Sequence, residues 1–148
     1  MSDYLKLENQ LCFKVYSISK SIVRIYGPLL KDIKLTYPQY LTMMVLWENK
    51  KISFKDLSYK LKMKTGTLTP IVTKLESYGY IDKIKDEKDD RKIYIVITKN
   101  GIELEEKAKD IPGRLACSVG LEVDEYSKYM KDFEDLLKIL DNIEKYVE

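Results

Sequence analysis

Apolar residues recur at spacings of three and four near both ends of the chain, which is the pattern of helices with one apolar face. The first repeat predicts a helix over residues 5–29, which Gly27-Pro28 should weaken, and the second predicts a long helix from Val123 onwards. Both helices exceed what a small domain needs to cover its core, so we expect about 5–29 and 112–148 to form a dimer interface. The two stripes consist of Leu11, Val15, Ile18, Ile22, Ile25 and Leu29, and of Tyr126, Met130, Phe133, Leu137, Leu140 and Ile143.

Shorter helices are predicted between these stripes. Residues 36–49 begin with the form of a capping box and are nearly all apolar, so this helix should lie at the centre of the fold. Ser53-x-x-Asp56 is a further helix start. Thr65 can cap the next helix, and Gly79 is placed to end it. Two short helices joined by a tight turn form the helix-turn-helix pattern.

A predicted hairpin follows directly. Residues 80–85 and the β-branched, alternating residues 93–98 are its strands, and the charged residues 86–92 are its turn. Thr98 can then cap another helix, which Pro112-Gly113 should interrupt.

A helix-turn-helix followed by a hairpin is a winged helix, here over about residues 34–98. The predicted fold is therefore mainly α with a small β-hairpin wing (α+β). We expect a single domain over residues 1–148, with the N- and C-terminal helices forming its dimerisation region.

Composition narrows the possible functions. The 148 residues are 45% hydrophobic and 34% charged, a globular mixture, and contain no histidine. The absence of histidine removes the commonest general base and metal ligand, so we expect no metal site and no cofactor. No apolar run approaches the roughly 20 residues of a membrane span. The polar N-terminus is unlike a signal peptide, and we expect a cytoplasmic protein without a membrane partner.

The charge is distributed unevenly along the chain. The net charge is +2, yet residues 50–99 carry thirteen Lys/Arg against seven Asp/Glu, while residues 100–148 carry seven against thirteen. A basic middle suggests that this part faces a polyanion, although a solvated lysine-rich surface would look the same.

Several residues of this basic part have chemistry suited to DNA. The N-terminus of the fourth helix offers unpaired N–H groups to phosphate, and short threonine hydroxyls can reach phosphates or base edges, although they can equally cap the helix. The guanidinium of Arg91 at the hairpin tip suits a narrow minor groove, and Asp89 should orient Arg91 or stabilise the turn. The candidate DNA-binding residues are Lys64, Thr65, Thr67, Thr69, Lys74 and Arg91.

Motifs along nearly the whole chain resemble the MarR family of winged helix-turn-helix regulators. Two N-terminal stretches also resemble its organic hydroperoxide-sensing (OhrR-like) branch. The family motifs are Leu57-x-x-x-Leu61-x-x-x-x-Gly66-Thr67-Leu68-Thr69-Pro70-x-x-x-x-Leu75-Glu76-x-x-Gly79-Tyr80-Ile81, Asp89-Asp90-Arg91 and Thr98-x-x-Gly101. The branch motifs are Leu7-Glu8-Asn9-Gln10-Leu11-Cys12-Phe13 and Leu35-Thr36-Tyr37-Pro38-Gln39-Tyr40-Leu41.

The resemblance implies a homodimeric repressor that binds an inverted repeat in double-stranded DNA and releases it when an organic hydroperoxide oxidises Cys12. It implies that the hydroxyls of Tyr26 and Tyr37 hydrogen-bond the reactive sulfur, with Tyr16 as a third tyrosine nearby. It also implies that Cys117 captures oxidised Cys12 in an intersubunit disulfide.

Two positions depart from the family pattern and bear on the operator sequence. Lys64 stands where an acidic residue often precedes the recognition helix, and Lys74 replaces an arginine.

The residue types alone are compatible with other interpretations of the cysteines and of the function. Two cysteines among tyrosines are also what a protein core contains. The rival functions are a regulator released by a small ligand while Cys12 stays silent, a thiol peroxidase, and a protein-interaction domain that never meets DNA. Among these we expect a transcriptional regulator and not an enzyme.

Overall fold

A computed structural model describes residues 2–144 and divides the chain into two compact units, Met1–Pro112 and Gly113–Glu148. Met1 and the last four residues of the predicted 112–148 dimerisation segment lie outside the described residues. The chain is mostly helical with a small antiparallel sheet, which confirms the predicted fold class.

The N-terminal helix is shorter than predicted at its start. Two 3₁₀ turns, Asp3–Leu5 and Leu7–Asn9, precede α1, which spans Leu11–Leu30. Side chains hold these turns, because the Asn9 amide donates to the Asp3 carbonyl at 2.8 Å. An apolar repeat does not distinguish such turns from a helix, so the prediction over 5–29 began too early. The helix passes through Gly27-Pro28 and ends two residues later.

Four further helices belong to the first unit, and side chains cap three of them. The Thr36 N–H donates to Gln39 Oε1 at 2.9 Å, Ser53 Oγ accepts from the Asp56 N–H at 3.0 Å, and Thr98 Oγ1 accepts from the Gly101 N–H at 3.1 Å. These caps confirm the predicted starts. The helices are α2 (Tyr37–Asn49), α3 (Phe54–Leu61), α4 (Thr65–Ser77) and α5 (Lys99–Ala108).

The ends of α4 differ in how well they were predicted. The N-cap is Lys64, whose backbone is extended, and Thr65 is the first helical residue, so the prediction that Thr65 caps the helix was wrong by one position. Gly79 adopts a left-handed φ of 75° after the helix, as predicted. Its N–H bonds the Glu76 carbonyl and the Tyr80 N–H bonds the Leu75 carbonyl, which is a Schellman ending.

The sheet contains the predicted hairpin and one strand that the sequence did not reveal. Strands β2 (Ile81–Lys85) and β3 (Ile93–Ile97) pair antiparallel, with Ile81 opposite Ile97. A three-residue strand, β1 (Lys51–Ser53), adds to the other side of β3, giving the order β1-β3-β2.

The core of the first unit lies around α2, as its apolar sequence predicts. Tyr40, Met43 and Leu46 of α2 are buried, together with residues of α3, α4 and the sheet. The start of α5 approaches the strands closely at Gly101, and the Trp47 indole donates to the Gly101 carbonyl at 2.8 Å.

The C-terminal part consists of two helices, α6 (Ile111–Val119) and α7 (Val123–Glu144). The prediction that Pro112-Gly113 interrupts a helix was wrong, because the break comes at Lys109-Asp110 and the proline lies in the first turn of α6, where its missing N–H costs little. None of the described residues of α7 is buried. Among the described helices, none is both long and apolar enough to cross a bilayer.

Candidate functional site

Helix α4 presents one apolar and one polar face. Leu68, Val72 and Leu75 are buried, whereas the predicted DNA-binding residues of this helix and its N-cap are all exposed. The Lys64 carbonyl accepts the N–H groups of Thr67 and Leu68, both at 3.0 Å, so the N–H groups before them have no partner within the helix. This end of α4 can therefore donate to an anion. The exposed residues are Lys64, Thr65, Thr67, Thr69 and Lys74.

These residues are not equivalent. The Thr69 hydroxyl donates to the Thr65 carbonyl at 2.8 Å, so its proton is used inside the helix and its oxygen remains as an acceptor. Lys74 lies in the last turn, with its ammonium 5.1 Å from the centroid of the Tyr78 ring. Nine positions separate Lys74 from Thr65, or about 14 Å along the axis at about 1.5 Å per residue. The structure therefore brings the three threonines together at one end and places Lys74 at the other.

The wing tip is held by two aspartates, one of which sequence reasoning missed. Asp89 accepts the Arg91 N–H at 3.1 Å, and its carboxylate lies 3.9 Å from the Arg91 guanidinium, which is 96% exposed. Asp86 accepts the Lys88 N–H at 2.8 Å, and this bond is the main cause that lowers the pKa of Asp86. Both are aspartates bonding the amide two residues on, a turn signal visible in the sequence.

A second missed residue links the wing to α4, which, as the second helix of the helix-turn-helix, is its recognition helix. The Lys83 ammonium of β2 donates to Thr73 Oγ1 at 3.1 Å and lies 2.9 Å from the Glu76 carboxylate, both on α4. This side-chain link ties the base of the wing to the second half of the helix. Spacing alone could not reveal it, because it depends on how the hairpin folds back.

The structure places Cys12 exposed in the first turn of α1. Tyr16 follows one turn later and is also exposed, with its hydroxyl accepting from the Lys20 ammonium at 3.1 Å. Phe13 and Tyr16 are near neighbours, with ring centroids 6.5 Å apart. Of the predicted sensor tyrosines, Tyr16 alone lies within about one helical turn of Cys12 along α1.

Tyr26 and Tyr37 form a separate pair. Their ring centroids are 4.9 Å apart, and Tyr40 lies beyond Tyr26 at 5.7 Å. Burial raises the pKa of the Tyr37 hydroxyl, so that hydroxyl keeps its proton and can donate a hydrogen bond. Cys12 and Tyr26 are fourteen positions apart on one helix, which is about 21 Å along the axis. The structure brings the two tyrosines together but does not bring Cys12 of the same chain to them.

Cys117 is exposed on α6. Among the described residues, no group of three or more His, Cys, Asp or Glu side chains could hold a metal ion.

Comparisons with known proteins identify the family of the chain. Residues 24–108 match the family described as transcriptional regulator SarA/Rot. The organic hydroperoxide resistance transcriptional regulator of Bacillus subtilis (strain 168) is 42% identical over 113 residues, covering 76% of this chain and 77% of that protein.

Solved structures of AbfR, a protein of Staphylococcus epidermidis, are similar over most of the chain. Reduced AbfR bound to DNA matches with a TM-score of 0.81 at 29% identity, covering 96% of this chain and 97% of that one. Disulfide-formed AbfR matches with a TM-score of 0.64 at 30% identity, covering 93% and 91%.

An exposed recognition helix beside a braced hairpin defines a winged helix-turn-helix protein. The chain belongs to the SarA/Rot/MarR-type winged-helix family and is a DNA-binding transcriptional regulator. This confirms the family resemblance found in the sequence. The relatives are transcriptional regulators and not enzymes.

Proposed function

We propose that the protein is a homodimeric repressor that releases an inverted-repeat operator when an organic hydroperoxide oxidises Cys12. The observation that carries this proposal is the pairing of Tyr26 and Tyr37, two hydroxyl donors, in a chain whose α1 begins with an exposed cysteine. The similarity to an organic hydroperoxide resistance regulator supports the choice of oxidant.

The DNA contacts are assigned to the polar end of α4 and to the wing tip. Thr65 and Thr67 donate hydroxyls into a major groove, and Thr69 contributes an acceptor oxygen. Arg91 enters the adjacent minor groove, held in orientation by Asp89. Lys64 adds positive charge near the phosphates, and Lys74 does so at the far end of the helix.

Exposed apolar stripes on α1 and α7 support the dimer. Leu11 is 65% exposed and Met130 is 57% exposed, and exposed apolar side chains recur along both helices. Contiguous apolar faces of this length are normally covered by another surface. A second copy of the chain supplies the matching faces with two-fold symmetry, so we assign residues of about 5–29 and of the described part of 112–148 to the dimer interface.

The distance between Cys12 and Tyr26 makes a sensor site within one subunit impossible. In the proposed dimer the sulfur instead meets Tyr26 and Tyr37 of the partner subunit, while Tyr16 of its own helix lies beside it. Hydrogen bonds from tyrosine hydroxyls stabilise the anionic sulfur, which is the reactive form. The sensor is then complete only when two subunits associate.

The chemistry proceeds in two balanced steps. The Cys12 thiolate attacks the peroxide, the O–O bond breaks, and the alkoxide takes a proton and leaves as an alcohol, with Cys12 as a sulfenic acid. The Cys117 thiol of the other subunit then attacks that sulfur, and water leaves as the disulfide forms. A disulfide form of AbfR, a similar protein, has been solved and supports this step. A disulfide needs Cα atoms within about 7 Å, so an interface not built for that spacing must shift to form it. Such a shift would rotate the winged parts and change the half-site distance.

A second candidate is a regulator that a small ligand releases while Cys12 is silent. A cleft of about 340 Å³ beside α2 and α5 favours it, because its lining is largely apolar. This volume is within the range of small-molecule sites. The lining residues include Tyr40, Met44, Trp47, Ala108 and Pro112.

The test measures binding to DNA from upstream of the protein's own gene, with and without an organic hydroperoxide, by fluorescence anisotropy. Wild type should bind and then release, whereas Cys12→Ser should bind and stay bound. A Cys12→Ser protein that releases normally excludes the redox mechanism and favours the ligand cleft. Cys117→Ser should form no dithiothreitol-sensitive dimer on a non-reducing gel, and its oxidised Cys12 should go on to over-oxidised or small-thiol adducts.

A further inference from the structure

A cleft of about 540 Å³ lies between the wing and the first turns of α3 and α4. Lys55 and other residues at the start of α3 line one side with Thr65, and Arg91, Lys92 and Tyr94 line the other. The start of α3 and the first residue of α4 therefore face the wing across an open space.

The geometry of duplex DNA dictates what must occupy this space. A recognition helix in the major groove and a wing in the adjacent minor groove are separated by the one sugar–phosphate strand that borders both grooves. We propose that this strand lies in the cleft and that Lys55 and Lys92 bind its phosphates from opposite sides. The proposal rests on the DNA-binding function and assigns phosphodiester contacts to two further lysines.

The charges of the lining favour a polyanion. Lys55, Arg91 and Lys92 are cations, and Asp56 is the single carboxylate among the lining residues. That carboxylate is engaged in capping α3, because Asp56 Oδ2 accepts the Ser53 hydroxyl at 2.6 Å. The cleft therefore has a net positive charge and attracts phosphate.

Lys55 is available for such a contact. It is exposed, and none of the described carboxylates forms an ion pair with it. Lys60 of the same helix is different, since its ammonium lies 3.7 Å from the Glu48 carboxylate and 3.4 Å from Asn49 Oδ1. Lys55 can meet a phosphate without losing a protein partner, whereas Lys60 cannot.

The hairpin fixes the position of Lys92 on the opposite wall. Its carbonyl accepts the Asp86 N–H at 2.9 Å, and its N–H donates to the Asp89 carbonyl at 2.8 Å. The Asp86 carboxylate attracts the Lys92 ammonium, as its lowered pKa reflects, but that aspartate is itself bonded to the Lys88 N–H. Contacts of this kind set affinity and register and read no base sequence.

The salt dependence of binding tests the assignment. Wild type, Lys55→Gln, Lys92→Gln and the control Lys60→Gln are titrated with a labelled short random-sequence duplex at several salt concentrations. The slope of log K against log[salt] is negative, and each lost phosphate contact makes it shallower by about 0.9. Between 50 and 200 mM salt, the affinity of a variant should therefore fall about 3.5-fold less for each subunit bound.

Lys60→Gln should keep the slope of wild type, and Lys55→Arg, which keeps the charge, should do so as well. Wild-type slopes in both Lys55→Gln and Lys92→Gln would overturn the phosphate site while leaving DNA binding intact. An equal loss of slope in Lys60→Gln would also overturn it, because the effect would then belong to surface charge in general. A wild-type protein that binds neither this duplex nor DNA from upstream of its own gene would refute the proposed function itself. Thermal melting verifies that each variant folds. If one of the two cleft variants does not fold, the salt slope of the other decides whether the cleft binds phosphate.

Discussion

Replacement of Gly101 by alanine should destabilise the fold through a backbone clash. A Cβ at this position would lie 2.3 Å from the Tyr80 carbonyl oxygen and 2.7 Å from Ile97 Cγ1, and real Cβ contacts essentially never fall below 3.0 Å. The nearest neighbour is backbone, which a side-chain rotation cannot move. The start of α5 must therefore shift away from the strands, and this shift strains the hydrogen bond from Trp47 to the Gly101 carbonyl.

The opposing contributions can be compared in magnitude. Alanine in a helix is favoured over glycine by about 1 kcal/mol. Overpacking of a well-packed position costs about 1–3 kcal/mol, and loss of a hydrogen bond about 0.5–1.5 kcal/mol. Because the clash is with backbone, the upper part of the overpacking range applies, and we expect Gly101→Ala to lower the free energy of unfolding by roughly 2–3 kcal/mol.

The assay is urea unfolding at fixed protein concentration, followed by the fluorescence of Trp47, the only tryptophan in the chain. With a typical slope, the expected loss shifts the midpoint down by roughly 1 M. Gly66→Ala is the matched control, since a Cβ there meets nothing within 4 Å and Gly66 lies outside the proposed dimer interface, and it should leave stability unchanged or raise it by up to about 1 kcal/mol. A Gly101→Ala protein as stable as wild type would refute the steric argument.

Three further predictions concern the wing and the sensor. Arg91→Ala should weaken DNA binding by about 1–3 kcal/mol without changing the melting temperature, and a lower melting temperature with unchanged affinity would make Arg91 structural. The pKa of Asp86 is depressed in the folded state. The bond from the Lys88 N–H to its carboxylate is therefore fully present at pH values above the ordinary aspartate pKa, and it is lost as the pH falls through the lower pKa of the folded state. The NMR shift of that amide should therefore titrate with a midpoint below the ordinary one, and a midpoint at or above it contradicts the assignment. Tyr37→Phe should slow DNA release by hydroperoxide while folding is retained, and an unchanged release rate in stopped-flow anisotropy would remove Tyr37 from the sensor.

The features that the sequence predicts correctly are those encoded within a few residues. Ser53 and Thr98 cap their helices by accepting hydrogen bonds from backbone N–H groups only three positions later. Gly79 ends α4 because glycine readily adopts a positive φ. The hairpin likewise follows from a β-branched, alternating run over residues 93–98 directly after a charged turn. Each of these signals involves neighbours in the chain, so no knowledge of the tertiary structure is needed.

The features that sequence reasoning missed depend on residues far apart. Strand β1 exists because Lys51–Ser53 pairs with Tyr94–Val96, more than forty positions away, and three residues are too few to show an alternation. The bonds from Lys83 to α4 have the same cause. In the candidate site, the motifs predicted the residues Tyr26 and Tyr37 but could not show that they pair with each other and lie far from Cys12 of their own chain.

If the exposed apolar stripe of α7 is covered in the proposed dimer, the stability of the protein should depend on its concentration. None of the described residues of α7 is buried, so packing within one subunit stabilises this helix little, and exposed ion pairs such as Lys128–Asp132 are screened by solvent. In the proposed dimer the helix is ordered by association, so each tenfold dilution lowers the free energy that holds two subunits together by about 1.4 kcal/mol. The melting temperature should rise with protein concentration. In a cell, subunits that are newly made or scarce would expose α7 to proteases, so scarcity would shorten the lifetime of the regulator.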